Sequence, residues 1–152
     1  MHQIFKVKRN TVLNYIRALL IMLWAHKGQK DKGGHLYWGH PWRVSCHVKG
    51  WRDKTIALLH DVIEDNPVLT LANFYFLDDE QRAALKLLTH DKSVTYFDYV
   101  QQIKMNKLAR EVKLADLNDN MDLTRLGKIT HKDEERYKKY AYCVEILKNA
   151  HQ

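Results

Sequence analysis

Apolar residues recur every three or four positions along almost the whole chain, and this helical spacing constrains the fold more than any other feature. The 152 residues include only 6 Gly and 2 Pro, which argues against long flexible linkers. There is no internal repeat and no credible pair of strands, because the only β-like run, 94–97, is short. The sequence therefore predicts an all-α bundle, formed as one domain over residues 1–152.

Caps and helix breakers divide this pattern into predicted helices. Pro41 suits the first turn of a helix. Pro67 ends another helix, because proline disfavours helical geometry in the residue before it. We expect the segment 28–39, rich in Gly and Lys, to be a loop. The expected helices cover residues 11–27, 41–50, 53–64, 70–76, 79–88, 95–105, 108–122 and 132–149.

The chain is basic, with 25 Lys and Arg against 18 Asp and Glu and a formal charge of +7. A basic surface raises the local concentration of anions. Nucleic acid, anionic lipid and a highly phosphorylated small molecule are all compatible partners, and so is a surface that serves only solubility. Charge alone therefore does not select a function.

Cysteine usage and hydropathy indicate the compartment. Cys46 and Cys143 lie far apart and form no CxxC motif, which argues against a disulfide framework and against a zinc ribbon. The apolar run 18–25 is far shorter than the roughly 20 residues of a membrane span, and no cleavage site follows it. We therefore expect a cytoplasmic protein with reduced thiols and no membrane partner.

The most informative stretch is 58–65, where polar residues stand in an apolar run. His60 and Asp61 are consecutive, and both are good ligands for a divalent cation. An isolated His–Asp pair more often bonds to neighbouring residues or caps a helix than binds a metal ion. Glu64 and Asp65 follow four residues after that pair, which on a continuous helix places them one turn along the same face. The stretch predicts two metal ligands followed by two carboxylates for proton transfer.

A second acidic cluster at 112–122 favours the metal interpretation. Asp116 follows apolar residues and is expected to face inward, and Asn120 lies four positions later on the same face. An inward carboxylate far away in sequence is what a His–Asp metal site needs to complete its coordination. Asp119 and Asp122 are expected to be solvated or paired with an arginine.

A further histidine ligand is expected, and nine histidines are available. His40 stands at the start of a predicted helix, from which its side chain can point inward without disturbing helix packing. On spacing alone, His26 and His47 compete with it.

In this order, the motifs resemble the hydrolase domain of RelA/SpoT proteins, and in particular the bacterial stand-alone small alarmone hydrolases. The similarity runs from about residue 12 to residue 145 and is carried by Ala25-His26-Lys27-Gly28-Gln29, Tyr37, Gly39-His40-Pro41, the stretch 57–65, the stretch 112–116 and Asn120. The resemblance implies an all-α HD-type phosphohydrolase. Such an enzyme removes the 3′-pyrophosphate of guanosine alarmones such as ppGpp, giving a nucleoside 5′-phosphate and pyrophosphate.

The resemblance also implies residue roles. The implied ligands of one metal ion, usually Mn²⁺, are His40, His60, Asp61 and Asp116. The implied catalytic acids are Glu64 and Asp65, one of which would orient or deprotonate a water that the metal acidifies. The implied nucleotide contacts are Lys32, Tyr37 and Asn120. His26 belongs to the motif as a packed histidine, not as a ligand.

One departure leaves the substrate open. Many alarmone hydrolases have Arg-Lys where this chain has Asp31-Lys32, and an aspartate supplies no cation to stack on a base. The same chemistry on ppApp, a deoxynucleotide or NADPH is therefore an alternative. A non-enzymatic nucleic-acid-binding module is a second alternative, disfavoured because no recognition motif is present. No synthetase domain is expected, and neither the oligomeric state nor a role as antidote to an alarmone synthetase follows from the sequence.

Overall fold

The computed structural model describes the backbone of residues 2–150 and the side chains of residues 10–150. The described part contains eight α-helices: α1 His2–Ala25, α2 Gly39–Cys46, α3 Trp51–Leu59, α4 Val62–Asp65, α5 Asp79–Leu88, α6 Tyr96–Lys104, α7 Lys107–Asn120 and α8 His131–Lys148. Two 3₁₀-helices span Leu71–Asn73 and Leu123–Arg125. Over residues 2–150 there is no strand, only an isolated bridge between Lys30 and Leu36. The predicted all-α fold is confirmed.

The core is built around α3, which packs against α1, α2, α5 and α7. Its segment Ile56–Leu59 is fully buried. Full burial of an aliphatic side chain contributes roughly 1.5–3 kcal/mol, so this helix is firmly anchored. Because α7 also packs against α2, three helices meet along the interior. The side chains on their facing surfaces are therefore held in defined positions.

Side-chain caps explain where the later helices begin. Asp78 accepts a hydrogen bond from the Gln81 backbone N–H at the start of α5, and Thr95 accepts one from Asp98 at the start of α6. Each such cap stabilises a helix by about 1 kcal/mol. Because Thr95 caps a helix, the β-like run 94–97 is not a strand.

The prediction of one continuous helix over residues 53–64 is wrong. α3 ends at Leu59, the chain turns at His60 and Asp61, and α4 begins at Val62. The Nδ1 of His60 lies 2.6 Å from the Ala57 carbonyl oxygen, so the side chain folds back on the last turn of α3. Glu64 and Asp65 therefore belong to the short helix α4 and not to the helix that ends at Leu59.

Other predicted boundaries also differ from the structure. α1 begins at His2, not near residue 11, and ends at Ala25. The expected helix 70–76 is only a short 3₁₀-helix. α2 ends at Cys46, and the chain turns into α3 through Gly50, whose φ of 79° suits a residue without a Cβ atom. None of the described helices combines the length and the apolar character that crossing a membrane requires.

Candidate metal centre

Ligand-type side chains from three helical elements converge on one point in the interior. His40 lies in the first turn of α2, His60 and Asp61 occupy the break between α3 and α4, and Asp116 lies in α7. His40, His60 and Asp116 are each less than 5% exposed, and one ligand atom from each lies within 4.8 Å of the others. Packing of α2, α3 and α7 therefore brings together four residues that span 77 positions of sequence (116 minus 40, counted inclusively).

The separations between these atoms have the size of one coordination shell. The Nε2 of His40 lies 3.0 Å from Asp116 Oδ1 and 3.6 Å from Asp61 Oδ2. The Nε2 of His60 lies 3.1 Å from Asp61 Oδ2 and 3.5 Å from Asp116 Oδ1. Two atoms bound at about 2.1 Å to one cation are about 3.0 Å apart at a right angle and about 3.4 Å apart at the tetrahedral angle. Among the described residues, His40, His60 and Asp116 form a group that could hold a metal ion, and Asp61 Oδ2 lies beside both histidines of that group.

The hydrogen bond of His60 directs its second nitrogen toward the cluster. A carbonyl oxygen can only accept, so the Nδ1–H of His60 donates to Ala57, and in the neutral ring Nε2 carries the lone pair. This Nε2 is buried and has no hydrogen-bond partner among the described residues, since the nearby Asp61 oxygen is not in hydrogen-bonding geometry. An unsatisfied buried polar atom costs about 1–3 kcal/mol. A bound cation would satisfy it.

A buried carboxylate orients His40 in the same way. The Oδ2 of Asp119 lies 2.7 Å from the His40 Nδ1. Arg43 Nε donates to Asp119 Oδ1 at 2.8 Å, and Arg125 Nη2 lies 3.2 Å from Asp119 Oδ2. Burial would raise the pKa of Asp119, but the hydrogen bonds from His40 and Arg43 outweigh it and lower the pKa to about 2. Such partners fix the ring orientation of a metal-binding histidine.

Asp119 was expected only to be solvated or paired with an arginine. Its pairing with arginine is present, but the contact with His40 was missed. One signal for it was available: Asp119 lies three residues after Asp116, which places the two carboxylates on neighbouring positions of α7.

The electrostatics of the cluster favour added positive charge. Burial lowers the pKa of His40, but hydrogen bonds with two carboxylates, first that of Asp116, raise it above its ordinary value. For His60, burial is outweighed by Asp61, and the pKa is raised well above the ordinary value. Burial raises the pKa of Asp116, but Lys113 has the larger net effect. Its Nζ lies 2.8 Å away and holds the pKa of Asp116 well below its ordinary value. The same carboxylates that retain protons on the histidines would attract a divalent cation.

The two predicted catalytic acids occupy different surroundings. Glu64 lines the cavity beside the cluster, and its Oε1 accepts the His90 backbone N–H at 2.5 Å. Partial burial raises the pKa of Glu64 above its ordinary value. Asp65 is not part of that cavity wall. Its Oδ2 accepts a hydrogen bond from Gln29 Nε2 at 2.9 Å, and Gln29 Oε1 lies 2.8 Å from the Nδ1 of His26.

Two of the predicted nucleotide contacts are bonded to the ligand carboxylates. The Tyr37 hydroxyl donates to Asp61 Oδ2, and burial raises the pKa of Tyr37 well above its ordinary value, so the hydroxyl remains a donor. Asn120 Nδ2 donates to Asp116 Oδ1 at 2.7 Å. Both side chains also line the cavity, as does Lys32.

A cavity of about 420 Å³ opens beside the cluster, and this volume is in the range of small-molecule sites. Burial and the nearby Arg136 lower the pKa of Lys32. The basic residues of the cavity wall are Lys30, Lys32, Arg43, Lys113, Arg125 and Arg136. A second cavity, of about 590 Å³, lies behind Asp119 and includes none of the four donor residues.

Asp31 is bound within its own loop at the edge of the cavity. Its Oδ1 accepts the backbone N–H groups of Gly33 and His35, each at 2.9 Å. This is a short-range turn of the kind that aspartate side chains stabilise. The carboxylate therefore holds the loop together at the position where the sequence departs from the resemblance.

Comparison with known proteins identifies the fold. No family profile matches the chain, and no curated protein sequence matches it. Among solved structures, a metazoan ortholog of SpoT, which hydrolyses ppGpp and plays a role in starvation responses, is similar with a TM-score of 0.75. The match covers 90% of this chain and 86% of that protein at 22% sequence identity. The two chains share one fold, the all-helical HD-type bundle.

Proposed function

We propose that this protein is a metal-dependent phosphohydrolase that removes the 3′-pyrophosphate of a guanosine alarmone such as ppGpp. One observation carries the proposal: two imidazole nitrogens and two carboxylate oxygens converge, at separations of 3.0–3.6 Å, beside a cavity lined by cations. The fold shared with a ppGpp-hydrolysing protein supports the choice of substrate class.

The proposed metal ligands are His40, His60, Asp61 and Asp116. Their imidazole and carboxylate donors suit Mn²⁺, and the absence of a thiolate among them argues against a structural zinc site. When bound, the ion supplies Lewis acidity, which polarises a phosphoryl oxygen and acidifies water. Tyr37 and Asn120 hold the ligand carboxylates in place, in addition to the nucleotide contact that the resemblance implies for them.

We assign the proton transfer to Glu64. Its carboxylate lies on the cavity wall and is oriented by the His90 backbone N–H, and burial raises its pKa, which favours proton uptake by this group. Water would form a bond to the phosphorus attached to the 3′-oxygen, and the bond between that phosphorus and the 3′-oxygen would break. Glu64 would accept the proton of the water and return it to the departing oxygen. Asp65, bound to Gln29, has a positioning role.

The cationic wall would bind the pyrophosphate. Lys32 lines the cavity, and burial together with the neighbouring Arg136 lowers its pKa, so an anion between the two cations would relieve their repulsion. Charge that develops on the phosphoryl group in the transition state would be stabilised by these preorganised cations. We place this chemistry in the cytoplasm, where Cys46 and Cys143 would remain free thiols.

A second candidate concerns the base. Because the Asp31 carboxylate is bound in its own turn, the loop supplies no cation to stack on guanine at that position. The engagement of Asp31 in its own loop therefore favours an alternative substrate for the same metal chemistry: ppApp, a deoxynucleotide or NADPH.

The test is a substrate panel. Purified protein would be incubated with Mn²⁺ and, in separate reactions, with ppGpp, ppApp, NADPH and a deoxynucleoside triphosphate, and the products would be separated by chromatography. We expect pyrophosphate from ppGpp, its loss with a chelator, and its loss in Asp61→Ala. Release only from another nucleotide would support the second candidate. Metal-dependent release from none of the four would refute both.

A further inference from the structure

The part of α1 from residue 10 to residue 25 carries apolar side chains on both of its sides. Between residues 10 and 25, Arg17 is the only charged side chain. One side of α1 faces the core through Ala18 and Met22, which are fully buried. Six apolar side chains on the other side are each 39–62% exposed: Val12, Leu13, Ile16, Leu20, Leu23 and Trp24. At 100° per residue they fall within an arc of about 120°, opposite Ala18. A helix that is apolar all round is normally buried on all sides.

The spacing on this exposed face indicates what covers it. Leu13, Ile16, Leu20 and Leu23 are separated by three, four and three residues, which is the a/d spacing of helices that pack lengthwise on one another. We call these four residues the α1 seam. The spacing is the same in both chain directions, so an antiparallel copy of the seam would set Leu13 against Leu23 and Ile16 against Leu20.

We propose that this protein is a homodimer in which two copies pack α1 against α1 around a two-fold axis. The six exposed side chains leave on the order of 500 Å² of apolar surface, near the upper end of what the largest patch on a monomer covers. Two copies would bury about 1,000 Å², the size at which specific interfaces begin. A two-fold interface uses the same patch twice, and the symmetric spacing of the α1 seam meets that requirement. The inference does not rest on the proposed function, because none of the α1 side chains that the structure describes, those of residues 10–25, lines the cavity.

The test is the mass of the full chain in solution, measured by sedimentation over a hundredfold range of concentration. We expect a dimer of the 18.1 kDa chain, and a monomer for the double variant Ile16→Glu/Leu20→Glu. Because both side chains point to solvent, the variant should keep the helical circular dichroism of the wild type. Val68→Glu is the matched control, since Val68 is 77% exposed and lies outside the α1 seam, and it should remain dimeric.

Three outcomes would overturn the proposal. The first is a wild-type chain that is monomeric throughout the concentration range. The second is an association that survives Ile16→Glu/Leu20→Glu. The third is a monomer that binds vesicles of anionic phospholipid and loses that binding in the same variant, which would assign the α1 seam to a lipid surface. A wild-type unfolding temperature that rises with protein concentration, and does so no longer in the variant, would support the dimer.

Discussion

The Asp119 carboxylate lies 2.7 Å from the Nδ1 of His40, and two arginines hold it there. This contact determines which nitrogen of His40 faces the cluster. Asp119 is therefore part of the candidate metal centre, although it is not placed to bind the ion itself.

Replacing this carboxylate by its amide tests that role. We expect Asp119→Asn to weaken Mn²⁺ binding about 10- to 100-fold. An amide orients the imidazole of His40 less firmly than a carboxylate does, and it raises the basicity of the ring less. Titration calorimetry would measure the change. Asp122→Asn is the matched control, since Asp122 also pairs with Arg125 but does not touch His40, and it should bind Mn²⁺ as the wild type does. Equal affinity in Asp119→Asn and the wild type would contradict the assignment.

The raised pKa values of His40 and His60 predict an unusual pH dependence for the metal-free protein. Histidine in an unfolded chain has a pKa of about 6.5. A folded-state pKa above that value stabilises the fold fully below pH 6.5 or so, and the gain is lost as the pH rises through the folded-state pKa. With chelator present, the unfolding temperature should therefore fall as the pH rises above neutrality.

Other groups also make the folded protein less stable as the pH rises. One is Asp53, because burial and the neighbouring Glu111 raise its pKa to about 6. Added Mn²⁺ distinguishes the effect of the two histidines from that of such groups. The ion competes with protons only at the cluster, so its stabilisation should grow as the pH rises. Thermal melts at several pH values, with chelator and with Mn²⁺, would measure both effects. A metal-free unfolding temperature that rises with pH above neutrality would show that the histidines are not protonated in the folded protein.

Glu64 and Asp65 should respond differently to the loss of their charge. Glu64→Gln should lower the rate of pyrophosphate release by about 10²- to 10⁴-fold, because the amide cannot accept a proton. Its affinity for Mn²⁺ should be unchanged, since Glu64 is not among the donor atoms. Asp65→Asn can still accept a hydrogen bond from Gln29 and should retain most of the rate. If Asp65→Asn is the slower of the two, the roles assigned to them are reversed.

The fold was predictable from the sequence because helical spacing and caps are local signals. The predicted helix 79–88 matches α5 at both ends, and its capping box, Asp78 with Gln81, uses neighbouring residues. The break at His60 and Asp61 was not predictable in this way. Apolar residues continue on both sides of it and no Gly or Pro marks it, so nothing local signals the turn.

The candidate site was predictable by residue type, but not by spacing alone. His26, His40 and His47 are equivalent on spacing, and only tertiary packing separates them. In the structure, His26 contacts Gln29. The Nδ1 of His47 lies at a distance of 2.7 Å from the Arg43 carbonyl oxygen, near the end of α2. His40 alone of the three lies beside His60 and Asp116. A sequence without coordinates does not say which face of α2 meets α7, and so Asp119 was missed.

The central claim is that His40, His60, Asp61 and Asp116 bind one divalent ion. A crystal structure of the protein soaked in Mn²⁺, with anomalous diffraction recorded, measures this directly. The account predicts a single strong anomalous peak at about 2.0–2.3 Å from the two Nε2 atoms and from one oxygen of each aspartate. A peak elsewhere in the molecule, with these four side chains contacting no ion at saturating Mn²⁺, would contradict it.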